Sequence, residues 1–214
     1  MKIIEVGHQF KGALKHRTST KRIVIHHAAS AGDVSAATIH RWHLDRKWLG
    51  CGYHYIIRFD GTIERGRPEN VVGAHAGPTA NGDSIGICLT GHLTKHDPTE
   101  AQIVALTELI KDIYGRYGEL TIIGHEDVMA TDCPGKKFPW SRIRAMLKGG
   151  TGTQEVKLTI NGRPSTVPLR VVDGRTQALL SGAWVQLRDL ANMLQAGIGW
   201  DERTRTVDFD IKGR

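Results

Sequence analysis

The stretch "KRIVIHH", residues 21–27, sets two histidines at the end of an unbroken β-branched run. Ile23, Val24 and Ile25 are consecutive, which reads as a strand buried on both faces. The stretch "ELTIIGH", residues 119–125, repeats the arrangement and ends on His125. Polar residues of sheet domains collect at strand ends and in loops. Two such strands side by side would bring His26 and His125 together. The following loop, "GHEDVMATDCPG" at residues 124–135, carries Cys133 eight positions after His125 and can fold back toward both rings. Imidazole and thiolate are zinc ligands, and catalytic zinc sites use three protein ligands so that a fourth position holds water. His26, His125 and Cys133 match that count and type, although 99 residues separate the first from the second.

Working outward, "SAATIHRWHLDRKW" from Ser35 carries Ile39, Trp42 and, less regularly, Leu44 at helical spacing, with Ser35 or Asp33 as cap. "YHYIIRFDGTIERGR", residues 53–67, is two strand-like runs around Asp60-Gly61, a hairpin signal. "SIGICL", residues 84–89, is another apolar strand. Asp97 and Pro98 open a helix in which Ile103, Leu106, Ile110, Ile113 and Tyr117 recur at steps of three and four, and Gly118 ends it. A short helix from Trp140 to Leu147 follows. Strands alternating with helices predict an α/β domain, a central mixed β-sheet flanked by helices.

Length supports one medium and one small domain: 214 residues, 40% of them hydrophobic. All 11 histidines lie between His8 and His125, so chemistry is expected in the first part. The polar, glycine-rich "KGGTGTQ" marks the division. The expected organisation is a catalytic domain at 1–147, a linker at 148–154 and a small α+β domain at 155–214. In the last, "EVKLTINGRPSTVPL" is a hairpin turning at Asn161-Gly162, "GAWVQLRDLANMLQAG" an amphipathic helix through Trp184, Leu187, Leu190 and Leu194, and "RTVDFDI" a final strand.

Net charge is +7, from 20 basic and 15 acidic residues up to position 150 and 9 and 7 beyond it. That balance suits anionic surroundings such as nucleic acid, phosphate-bearing polymers or a bacterial cell wall. No Lys/Arg block interleaves with aromatics, so nucleic acid is not expected as a partner. The N-terminus has no apolar run of signal-peptide length and no stretch could cross a bilayer, so a cytoplasmic location in the producing cell and no membrane partner are expected. Three cysteines argue against a disulfide framework; Cys51 and Cys88 read as small buried hydrophobes.

From about Arg22 to Leu147 the chain resembles the zinc-dependent N-acetylmuramoyl-L-alanine amidases of the type-2 amidase and peptidoglycan-recognition protein superfamily, especially phage lysins. The motifs are "IVIHHAAS", "GYHYIIRFDGTIERGR", "VGAHAGPTANGDSIGICLTG" and "GHEDVMATDCPG". The resemblance implies zinc held by His26, His125 and Cys133, catalysis involving Tyr53 and assistance from Thr131. It places His75 and Asn81 in the segment that contacts substrate. The implied reaction is hydrolysis of the amide between N-acetylmuramic acid and L-alanine of peptidoglycan. Relatives that recycle wall fragments carry a glutamate where this chain has Cys88, so a carboxylate base is missing and intact wall polymer is the favoured substrate. Two other readings stay open: a non-catalytic peptidoglycan-recognition module, or a zinc peptidase cutting the stem peptide.

His27 is expected to face away from His26 as packing or a second-layer contact. His54 is expected to be structural, Trp42 and Trp48 to be core, and His8, His16, His40, His43, His92 and His96 to be surface or partly buried without chemistry. The last 60 residues resemble the small domain named after the N-terminal segment of copper amine oxidases. Without His or Cys that unit cannot hold copper. It is expected to attach to the wall or to form a homodimer.

Overall fold

The computed structural model describes residues 2–147, 157–167, 169–172, 175–180, 183–201 and 206–211. The expected linker at 148–154 lies outside the described residues. The chain divides into two compact units, Met1–Ile143 and Arg144–Arg214.

In the first unit, β1 (Ile3–Ile4), β2 (Arg22–His27), α1 (Ala36–Asp45), β3 (Tyr55–Ile57), β4 (Ile63–Arg65), β5 (Ser84–Leu89), α2 (Glu100–Tyr117) and β6 (Thr121–Gly124) follow in order. A 3₁₀ turn, His125–Asp127, comes next, and α3 spans Trp140–Leu147. The strands form one six-stranded sheet ordered β1-β4-β3-β5-β2-β6. Only the β3–β4 hairpin is antiparallel, and Gly61 supplies its turn with φ of 84°. Strand β2 lies between β5 and β6, parallel to both, which explains its unbroken β-branched run: Ile23, Val24 and Ile25 are fully buried.

The register decides where polar side chains fall. Ile25 pairs with Gly124, so His26 and His125 come next at the same sheet edge. His26 pairs with Cys88, which pairs with Ile56. These share one face, and Ala36 and Ile39 of α1 pack with Ile56, Cys88 and Cys51 there. Alternation sends Ile25, Ile87 and Tyr55 to the other face. On that side the Tyr55 hydroxyl donates to Glu69, which also receives Arg116 and Tyr117 from the end of α2.

Helix α1 departs from the expected pattern. Its buried residues are Ala36, Ile39, His40 and His43, while Trp42 and Trp48 are 36% and 40% exposed. The stripe has regular helical spacing, but two of its members are histidines, which an apolar count does not register. Ser35 is the cap, its side chain accepting from the Thr38 N–H. Helix α2 begins not at Asp97-Pro98 but after Thr99, whose side chain forms a reciprocal capping box with Gln102. Its Ile103, Leu106, Ile110 and Ile113 are buried as expected, and Tyr117 is exposed.

The second unit contains β7 (Lys157–Ile160), β8 (Arg163–Ser165), β9 (Leu169–Val172), β10 (Arg175–Leu180), β11 (Ala183–Gln186), α4 (Leu187–Leu194), β12 (Gly197–Asp201) and β13 (Thr206–Asp210). The hairpin at Asn161-Gly162 is formed by β7 and β8. Two sheets, β11-β10-β9 and β12-β13-β7-β8, accompany a core of Leu158, Ala178, Leu187, Ala191, Val207 and Phe209. The expected long helix is shorter: residues 183–186 are strand β11, because their backbone groups pair with β10. Tertiary pairing there overrides helical periodicity.

Candidate metal centre

The C-terminal edge of the first unit's sheet gathers the residues of interest. His26, near the end of β2, is fully buried, and its Nδ1 lies 3.7 Å from Cys133 Sγ. His125 opens the turn after β6, with its ring centroid 4.6 Å from that of His26. One ligand atom from each of His26, His125 and Cys133 lies within 4.8 Å of the others. A tetrahedral ion with metal–nitrogen bonds near ~2.0 Å and metal–sulfur bonds near ~2.3 Å needs N···S separations of about 3.5 Å, so the cluster fits zinc after small side-chain adjustments.

The loop is shaped by its own hydrogen bonds. The Glu126 N–H donates to Cys133 O at 2.7 Å, closing residues 126–133 into a ring, and the Gly124 N–H donates to Asp127 Oδ2 at 2.7 Å. Thr131 Oγ1 accepts the Cys133 N–H at 3.4 Å. Cys133 Sγ accepts the His27 N–H at 3.3 Å, a bond that favours thiolate. Burial nevertheless pushes the Cys133 thiol up to about 12, so a neighbouring cation is required to hold it ionised. Burial lowers His26 well below the ordinary imidazole range, reinforced by His125, His27 and His54, and burial lowers His125 as well. Both rings are therefore neutral, the form that ligates. Met129 leans on His125 from the solvent side, its sulfur 3.2 Å from Nε2.

Tyr53 stands beside His26, ring centroids 5.0 Å apart. Burial raises its hydroxyl well above the usual range, so it remains a donor. Thr131 is exposed at the loop tip. Tyr53 and the three candidate ligands thus share one corner. His75 is also here, but behind it: its ring is buried and Nδ1 lies 2.9 Å from His26 Nε2. A Cβ on Gly73 would meet His75 Cδ2 at 2.4 Å and one on Gly86 at 2.6 Å, so two glycines form the slot that admits the ring. His75 Nε2 is 3.4 Å from Ser84 Oγ, which donates to Ala80 O. The proton arrangement satisfying every partner has His26 donating from Nε2 to His75, His75 donating to Ser84, and His26 Nδ1 free for a metal. Asn81 Oδ1 accepts the N–H groups of His75 and Ala76, both at 2.8 Å. These positions point to orientation of His26 rather than to substrate contact.

His27 faces the other way, its Nδ1 accepting the Leu93 N–H at 2.9 Å. His54 is fully buried between the Gly86 N–H and Val71 O, a structural place. Cys51 and Cys88 are buried free thiols. His40 and His43, expected to be surface or partly buried, are buried. Sequence reasoning missed their hydrogen bonds and those of His75, because the ring nitrogens meet partners that no local spacing pattern marks.

Fold and cluster together define an α/β protein with a candidate mononuclear metal centre at a parallel sheet edge. The profile of the N-acetylmuramoyl-L-alanine amidase family, Amidase_2, matches residues 16–136, and the chain belongs to that family. It is 38% identical over 125 residues to an endolysin of Klebsiella phage KP32, covering 55% of this chain and 82% of the relative. An endolysin of Escherichia phage T7 is 38% identical over 127 residues, 56% and 83% of the two chains. Among solved structures, the N-acetylmuramoyl-L-alanine amidase LysC from Clostridium intestinale URNW superposes with a TM-score of 0.66 at 36% identity, covering 69% of this chain and 98% of that one.

Proposed function

We propose that this chain is a zinc-dependent endolysin or autolysin that hydrolyses the amide between the lactyl group of N-acetylmuramic acid and L-alanine in peptidoglycan. The observation that carries the reading is the convergence of His26, His125 and Cys133 within 4.8 Å beside Tyr53, in a member of the amidase family. Zinc, when bound, supplies a Lewis acid for the scissile carbonyl and brings the pKa of a water toward ~7. The chain's residues do the rest. His26 and His125 ligate as neutral imidazoles and Cys133 as thiolate. Tyr53, protonated, donates to the oxygen that gains charge as the carbonyl becomes tetrahedral. Thr131 orients the Cys133 segment through its bond to the Cys133 N–H. His75 fixes the His26 ring, and Asn81 holds the backbone that carries His75. The second unit is read as a wall-attachment module that raises enzyme concentration at the polymer.

The test uses purified cell walls with and without a zinc chelator, following newly exposed L-alanine amino groups and reducing sugars. Chelator-sensitive release of L-alanine termini without reducing ends is expected. Wall binding with no new termini would establish a recognition module instead, and termini from within the stem peptide would establish a peptidase.

A further inference from the structure

Two histidines of α1 have no part in the metal cluster and are nevertheless buried: His40 and His43, one turn apart. Each ring uses Nδ1 to accept a backbone N–H from the segment that leads into Tyr53. The Cys51 N–H donates to His40 at 3.1 Å and the Gly52 N–H to His43 at 2.9 Å. Consecutive amides are thus held by consecutive members of one helical stripe.

The same segment is fixed from its other side. The Ala74 N–H donates to Gly52 O at 3.1 Å, and the Arg67 N–H to Tyr53 O at 2.8 Å. A Cβ on Gly52 would sit 2.0 Å from Ala74 O, so the chain passes through a space that only glycine fits. The His43 ring lies against Trp48 at 4.6 Å and Tyr53 at 5.5 Å between centroids. His43 is therefore bound to the backbone one residue before Tyr53 and packed on the Tyr53 ring itself.

We infer that His43, supported by His40, is a positioning residue for Tyr53: its Nδ1 anchors the Gly52 amide and so sets where the Tyr53 hydroxyl stands relative to the metal ligands. The role requires an unprotonated ring nitrogen. Burial, with Arg46, Arg67 and His40 nearby, holds His43 down to about 4, which keeps that nitrogen available at neutral pH. The inference rests on the reading of Tyr53 given under the proposed function.

The test compares His43→Asn with His43→Gln in the full chain. Asparagine carries an acceptor near the place of Nδ1, whereas glutamine carries it one methylene farther out. On muramidase-solubilised peptidoglycan, His43→Gln is expected to lower kcat by about ten-fold or more with KM changed less than about two-fold, and His43→Asn to restore most of kcat. Both variants keep bound zinc, and exchange protection of the Gly52 amide is kept in His43→Asn and lost in His43→Gln. In the Tyr53→Phe background the His43→Gln loss largely vanishes, because both changes remove the same contribution. Equal kcat in the two His43 variants, full multiplication of the losses with Tyr53→Phe, or a folded His43→Asn that is as slow as His43→Gln would overturn the inference. Tyr53→Phe with unchanged kcat would instead remove Tyr53 from the reaction, a separate failure.

Discussion

His75 shows how little of a site one ring discloses in sequence. The candidate ligands are legible because each ends an apolar strand or sits in the loop that follows one. His75 lies 49 residues from His26, and its position depends on Gly73 and Gly86 leaving a slot for its ring. Nothing in the local pattern encodes that. Replacing His75 by alanine is expected to weaken zinc binding by about 10- to 100-fold, because the ligand ring loses the partner that fixes its orientation and proton; competition against a fluorescent zinc indicator measures it. Gly86→Ala is expected to act in the same direction without removing any polar group, since the new Cβ enters the His75 ring. A Gly86→Ala protein with wild-type affinity would show that the slot has room to spare.

At the scale of elements, strands were easier to read than helix faces. β2, β5 and the β3–β4 hairpin follow from β-branched runs and an Asp-Gly turn. The buried stripe of α1 was hidden by two histidines, and residues 183–186 were drawn out of their helical pattern by pairing with β10. α2 offers two tests. Thr99→Ala removes a capping box and is expected to cost about 1 kcal/mol, read as a lower denaturant midpoint with unchanged slope. Glu69 joins β3 to the end of α2. Burial alone would raise its carboxyl, but Arg116 and the hydroxyls of Tyr55 and Tyr117 together hold it below its ordinary value of 4.5. Its stabilising contribution is complete above that value and is lost as pH falls through the depressed one. Glu69→Gln is therefore expected to cost about 1–3 kcal/mol at neutral pH, with the gap from wild type closing in acid. A gap that does not change with pH would mean that the carboxylate's charge contributes nothing.

At the scale of the whole molecule, the histidine-rich first unit and the histidine-free second one suggest a division of labour. A chain ending at Leu147 is expected to hydrolyse solubilised peptidoglycan as the full chain does but to sediment less with intact walls. Equal sedimentation would remove the attachment role from the second unit.

The site also has a thermodynamic side. Its donors come from chain positions up to 107 residues apart and meet only when β2 has paired with β6. An unfolded chain offers an ion scattered, weak ligands, so the ion selects the native state. If the site binds zinc as proposed, each ten-fold rise in free zinc above the dissociation constant is expected to add about 1.4 kcal/mol to folding stability. On the proposed zinc reading, the melting temperature becomes a gauge of metal supply.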